Sequence, residues 1–306
     1  MTRPCDWGNN NAVSSTLSAT PEVATPHAPV PGVHYVATGE GPRTVVLLHG
    51  FADNLATWTR LIGPLAVDAR VIAVDLPGFG RSRRRFTTPL LAGYVDVVRE
   101  VLDAEGITGP VTLVGNSMGA AVATLFAASH PECTDRVVLI DMPGLRGVPR
   151  LWRMALSRPV EFGMRATFGA LGHKSAAWGL GTMYRFVAAA DPRRMDVLAR
   201  ADFTGPYSRR GSVPDLLPIG RALLADLATA GLAEVVGSLP APVLLVFGSR
   251  DILTPARVLR RIGRDGGAVV LPGCGHCPQI DQPALLLEHV LPFLRSAAAS
   301  SAEKAA

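Results

Sequence analysis

The 306-residue chain is short of cysteine, lysine and charge. Its four cysteines, Cys5, Cys133, Cys274 and Cys277, are too few for a disulfide scaffold. Cys5 and Cys133 stand far apart and alone in the sequence. Cys274 and Cys277 form a single CxxC pair, where a structural zinc site needs a second, so no metal site is expected. Charged residues make up 18% of the chain and hydrophobic ones 48%, which excludes global disorder and leaves enough apolar side chain for a sizeable core. Lysine occurs at Lys174 and Lys304 alone. The net charge of +5 is a mild arginine excess and does not make the footprint of a nucleic-acid binder. Residues Met1–Asn11 lack the apolar stretch of a secretion signal. One uncharged run, Gly106–Pro131, is long enough to cross a bilayer. Gly115, Asn116, Ser117 and Gly119 interrupt it, so it reads as buried strand, sharp turn and buried helix. A soluble, cytoplasmic protein is the expectation.

What is present is a rhythm of short apolar runs and amphipathic segments. Strands are expected at Val33–Thr38, Thr44–His49, Val71–Asp75, Val111–Val114, Val137–Asp141, Val243–Phe247 and Ala268–Leu271. Most are continuous apolar runs, as strands covered on both faces should be. Helices are expected at Leu55–Val67, Leu90–Ala104, Met118–Ser129, Pro255–Gly263 and Pro283–Ala298. Alternation of this kind implies an α/β fold, a mostly parallel central sheet with helices on both faces. The rhythm stops after Asp141 and resumes at Pro242. The division expected is a flexible N-terminal tail (1–32), a core (33–142 and 236–298), a helical cap (143–235) and a C-terminal tail (299–306). The cap holds 13 basic and 7 acidic residues. That balance reads as a solvated helical surface or as a face that draws anionic substrates or lipid head groups. Its stretch Leu151–Leu171 mixes Trp152, Met154 and Phe162 with Arg153, Arg158 and Arg165. It is read as pocket lining or cap packing in preference to a membrane surface.

The chemistry lies at the strand ends. Gly115-Asn116-Ser117-Met118-Gly119 is a G-x-S-x-G motif between an apolar run and an alanine-rich helix, the setting that forces a serine into a tight turn with its hydroxyl exposed. A serine hydroxyl is a weak nucleophile until a base takes its proton. His276, in a loop just after the last apolar strand, is the candidate base. An imidazole used this way needs a carboxylate to fix its tautomer and stabilise its cation. Asp251, in Gly248-Ser249-Arg250-Asp251, is the candidate, with Asp141 at another strand end as its rival. The oxyanion needs two backbone donors. The amides of Met118 and of Phe51, in His49-Gly50-Phe51, are in position to supply them. Cys274 and Cys277 flank His276 and read as small packing residues, with a redox gate as the sharper alternative.

With these motifs in order, the chain resembles a cap-bearing serine hydrolase of the α/β-hydrolase superfamily. The resemblance rests on His49-Gly50-Phe51, Asp75–Ser82, Gly115–Gly119, Gly248–Asp251 and Gly275-His276. It implies a hydrolase core whose lid sets specificity, and a structural loop at Asp75–Ser82. It also implies ester or thioester cleavage of a small to medium apolar substrate through an acyl-enzyme, without organic cofactor or metal. The wording Asn116-Ser117-Met118-Gly119 is similar to carbon–carbon bond hydrolases of dienoic acids, although their Trp after the catalytic histidine is Cys277 here. A haloperoxidase-like activity shares the same triad, and a catalytically silent binding module shares the fold. The partner expected is a small-molecule substrate, with an anionic one suited to the basic cap.

Overall fold

The computed structural model describes Cys5 and residues 30–145, 147, 150–191, 193, 205–208, 213–257 and 267–296. Among these, seven strands form one sheet. They are β1 (His34–Thr38), β2 (Arg43–Leu48), β3 (Ala69–Asp75), β4 (Val111–Asn116), β5 (Thr134–Ile140), β6 (Val243–Gly248) and β7 (Ala268–Leu271). Their spatial order is β1-β3-β2-β4-β5-β6-β7. β1 lies antiparallel on β3, and every other pairing is parallel. The helices are α1 (Thr59–Ala66), α2 (Leu90–Ala104), α3 (Met118–Ser129), α4 (Arg150–Ala155), α5 (Arg158–Leu171), α6 (His173–Ala188), α7 (Leu216–Thr229), α8 (Leu232–Ser238), α9 (Pro278–Asp281) and α10 (Pro283–Arg295).

The continuous apolar runs have a direct cause. Along a strand, successive side chains point to opposite faces. Val46, Leu48, Ile72, Val74, Leu113 and Leu139 pack on one face with α2, α3 and α8. Val45, Leu47, Val71, Ala73, Val114 and Ile140 pack on the other with α1 and α10. Both parities are apolar because both faces are covered, and each fully buried Val, Leu or Ile side chain contributes about 1.5–3 kcal/mol. The run Gly106–Pro131 holds β4, the turn at Ser117 and α3. Among the described residues no single helix is long and apolar enough to cross a membrane; α7 and α8 pass that test together but are bent by 60°.

Three expectations change or fall outside the described residues. Leu55–Val67 is split: a 3-10 turn over Leu55–Trp58 precedes α1. Asn54 caps that turn, its side-chain oxygen accepting from the Ala56 amide at 2.9 Å. The proposed helix Pro255–Gly263 lies outside the described residues from 258 on, as do both tails apart from Cys5 and residues 30–32.

The third change is a correction: Cys5 and Cys133 are not alone but form a disulfide, with Cα atoms 5.6 Å apart. Sequence distance hid this, because Cys133 leads into β5 and the Cys5 amide donates to Thr108 O at 3.0 Å just ahead of β4. Both cysteines are buried. The bond closes a separation of 128 residues, which in the chain-entropy picture is worth about 4–5 kcal/mol. Cys5→Ser, or thiol reductant, is expected to lower the urea midpoint clearly. Coincident unfolding curves with and without reductant would refute this.

Candidate active site

Ser117 stands at the junction of β4 and α3 with φ 52° and ψ −117°. A positive φ on a non-glycine residue is strained, and it persists only where the surroundings enforce it. They do so here: the Ser117 amide donates to Ile140 O of the neighbouring strand at 2.8 Å, and Ser117 O accepts from Ala120 N at 2.9 Å. The turn also needs glycine at Gly119, where a Cβ would sit 2.0 Å from Leu48 O. Glycine is needed at Gly115 as well, where a Cβ would meet Gly119 O at 2.3 Å. The start of α3 points its first amides at the same place, a setting that favours negative charge.

The other candidates arrive from separate loops. Asp251 follows β6 and His276 follows β7; both are buried. His276 Nδ1 lies 2.8 Å from Asp251 Oδ2. Asp251 also accepts from the Leu253 amide at 2.7 Å and from the Thr254 hydroxyl. Burial pushes the Asp251 carboxyl up, but the adjacent imidazole and these donors outweigh it and hold the carboxyl well below the usual carboxylate range. Ser117 and His276 make no hydrogen bond here. Asn116 ties their loops together instead, with Nδ2 donating to His276 O at 2.9 Å and to Ile140 O at 3.3 Å. Such contacts are often long before substrate binds.

Gly50 brings the His49–Phe51 loop against the elbow, since a Cβ there would lie 3.3 Å from Ser117 Cβ. His49 shapes this loop: Nδ1 faces Gly50 O at 2.7 Å and Nε2 accepts from the Leu76 amide at 3.0 Å. Among the described residues neither the Phe51 nor the Met118 amide has a backbone acceptor, as two oxyanion donors should not. Asp75 holds the layer beneath. Its carboxylate accepts from Leu55 N and Arg81 N at 2.8 Å each and meets His34 Nδ1 at 2.7 Å. The structural role expected of Asp75–Ser82 fits this.

The helices between β5 and β6 lie over the loops. Gly220 of α7 comes against Leu156 and the Phe51 ring. Phe51 packs edge-on against Phe79, centroids 5.7 Å apart. Tyr184 of α6 donates to Asp53 Oδ2 at 2.7 Å, and its hydroxyl lies 3.4 Å from Cys277 Sγ. Burial pushes the Asp53 carboxyl and the Cys277 thiol up from their ordinary values. Some basic residues of the helices between β5 and β6 are paired: Arg165 meets Asp215 at 2.9 Å and Glu161 at 3.0 Å, and Arg221 meets Glu161 at 2.7 Å.

Residues 45–289 match the model of the alpha/beta hydrolase family. The chain belongs to that family. Among its relatives is an uncharacterized protein of Mycobacterium tuberculosis, 27% identical over 88% of this chain and 80% of the relative. Another is the pimeloyl-[acyl-carrier protein] methyl ester esterase of Nitrosomonas europaea, 28% identical over 82% of this chain and 95% of the esterase. Among solved structures, Cfl2 of Burkholderia cenocepacia superposes with a TM-score of 0.72 at 25% identity, covering 86% of this chain and 92% of that one.

In this alpha/beta hydrolase the structure pairs His276 with Asp251, sets the Gly50–Phe51 loop against Ser117, which Met118 follows directly, and links the two groups through Asn116. Sequence reasoning missed the supporting polar residues. Asn116 was visible as part of the motif but gave no sign of reaching His276. Asp53 and Tyr184 lie far apart in sequence, and nothing local announces their contact. Asp281, whose Oδ2 accepts from the Gly275 and Ala190 amides at 2.6 and 2.9 Å, carried no signal either.

Proposed function

We propose that this alpha/beta hydrolase cleaves a carboxylic ester or thioester of a small to medium apolar acid through an acyl-enzyme on Ser117. The observation that carries the reading is the strained Ser117 turn, with the His276–Asp251 pair tied beside it by Asn116. Ser117 Oγ attacks the carbonyl carbon while His276 Nε2, the nitrogen facing away from Asp251, takes its proton. The Phe51 and Met118 amides hold the oxyanion. Collapse expels the alcohol or thiol, protonated by His276. Water activated by the same imidazole then releases the acid and restores the serine.

The core is 33–142 with 236–298, and the helices within 143–235 act as the cap that sets specificity. Leu156, Phe51 and Phe79 support an apolar wall near the reacting carbonyl. The relative named as a methyl ester esterase supports ester cleavage in general.

The test is a p-nitrophenyl ester series from acetate through butyrate and octanoate to palmitate. Turnover is expected to rise from acetate, peak at a short or medium chain and fall at palmitate as the cap limits length. Failure on every ester, together with no labelling by a fluorophosphonate, would overturn the proposal and favour a silent binding module.

A further inference from the structure

We propose that Asp141 is a positioning residue for this same site: a carboxyl group that keeps its proton, donates it in a hydrogen bond to Asp251, and so holds Asp251 against His276. The inference rests on the serine-hydrolase reading above and deepens it.

Asp141 follows Ile140 at the end of β5 and is fully buried. Its φ of 46° is a strained conformation for a non-glycine residue. Its amide donates to Val246 O at 2.8 Å, so the residue is pinned beside β6. Asp141, Asp251 and His276 each offer an oxygen or nitrogen within 4.8 Å of the others. Two buried carboxyls this close cannot both carry charge, so one must keep a proton.

The hydrogen bonds decide which. Asp251 takes the donors an anion needs: the Leu253 amide at 2.7 Å, the Thr254 hydroxyl, and His276 Nδ1 at 2.8 Å. The Asp141 carboxyl receives one, from the Gly248 amide to Oδ1 at 2.9 Å; the Thr254 hydroxyl also lies 3.1 Å from the Asp141 backbone oxygen. Its Oδ2 is buried with no donor facing it among the described residues. A carbonyl-type oxygen that accepts and a second oxygen without a donor are the two halves of a protonated acid. The other titratable groups that bear on Asp141 are Asp281, a further carboxyl, and the buried Cys277 thiol. Burial, followed by the Asp251 charge, holds the Asp141 carboxyl well above its ordinary value. The proton on Asp141 thereby leaves the full negative charge on the carboxylate that faces the imidazole.

The experiment compares Asp141→Asn, Asp141→Leu, Asp251→Asn and Ser117→Ala in the full chain. It measures kcat/KM on p-nitrophenyl butyrate against pH, and the rate of fluorophosphonate labelling. Asparagine keeps both the acceptor for Gly248 and a donor for Asp251. Asp141→Asn is therefore expected to rescue what Asp141→Leu loses, retaining activity within about threefold of wild type against a fall of about 100-fold for leucine. The acidic limb of the pH profile, set by the imidazole, should not move, because one neutral group replaces another. Asp251→Asn should fall by about 10⁴-fold.

An Asp141→Asn variant as inactive as Asp251→Asn would overturn the proposal. So would an active one whose acidic limb drops by about a pH unit or more, because that shift means a negative charge was removed beside His276. If Asp141→Leu does not fold, the asparagine profile alone decides. Wild-type turnover in Ser117→Ala would mark failure of the underlying reading, whatever Asp141 does.

Discussion

Replacing Ser117 with alanine is expected to lower kcat/KM for p-nitrophenyl butyrate by about four to six orders of magnitude. Labelling by a fluorophosphonate should vanish. The substitution removes one oxygen and leaves the rest of the site in place: the His276–Asp251 pair, the Asn116 ties and the unengaged Phe51 and Met118 amides. Folding should be unharmed, and stability should rise slightly if anything. At 117 the backbone strain is shared by serine and alanine, and neither Oγ nor any other atom of the Ser117 side chain serves as a structural hydrogen-bond partner among the described residues. The expected result is therefore an inactive, well-folded protein with substrate affinity near that of wild type. Equal loss of activity and of thermal stability would mean that Ser117 is structural, and turnover unchanged in the variant would place the nucleophile elsewhere.

Much of this was legible in the sequence because the relevant signals are local. The seven strands and α2, α3 and α10 follow from local apolar patterning, continuous in the inner strands that are covered on both faces, and their observed ends fall within a few residues of expectation. The elbow was legible because a tight strand-to-helix turn demands small residues at Gly115 and Gly119, and because the acid and base must follow later strands. The supporting network was not legible. Asn116 and His276 meet across 160 positions, and Tyr184 and Asp53 across 131. Contacts of that kind leave no period and no spacing rule. The same holds for Cys5 and Cys133, which are joined by the closeness of the chain ahead of β4 and β5. Asp141 is the instructive case. Its position at a strand end made it a rival to Asp251, and the rivalry was real in space. The geometry gives the histidine to Asp251 and leaves Asp141 within 4.8 Å of both.

Gly119→Ala is expected to be strongly damaging, costing about 3 kcal/mol or more and yielding little folded protein. The added Cβ would fall 2.0 Å from Leu48 O and 2.7 Å from His49 O. Both are backbone atoms and cannot turn aside as a flexible side chain could. Leu48 is paired with Gly115 in the parallel ladder between β2 and β4, so relief by moving β2 would break the central pairing of the sheet. Moving α3 instead would carry the Met118 amide away from the Phe51 amide and open the proposed oxyanion site. Gly63 is the control. It lies exposed within α1 with nothing near the added Cβ, so Gly63→Ala should stabilise by about 0.5–1 kcal/mol through helix propensity. Urea unfolding of the two variants measures both effects. A Gly119→Ala protein that unfolds with wild type would mean that the close approach of α3 to β2 is not what sets the elbow. Loss of both fold and activity at 119, beside a gain at 63, would tie the strained serine to the close approach of α3 to β2.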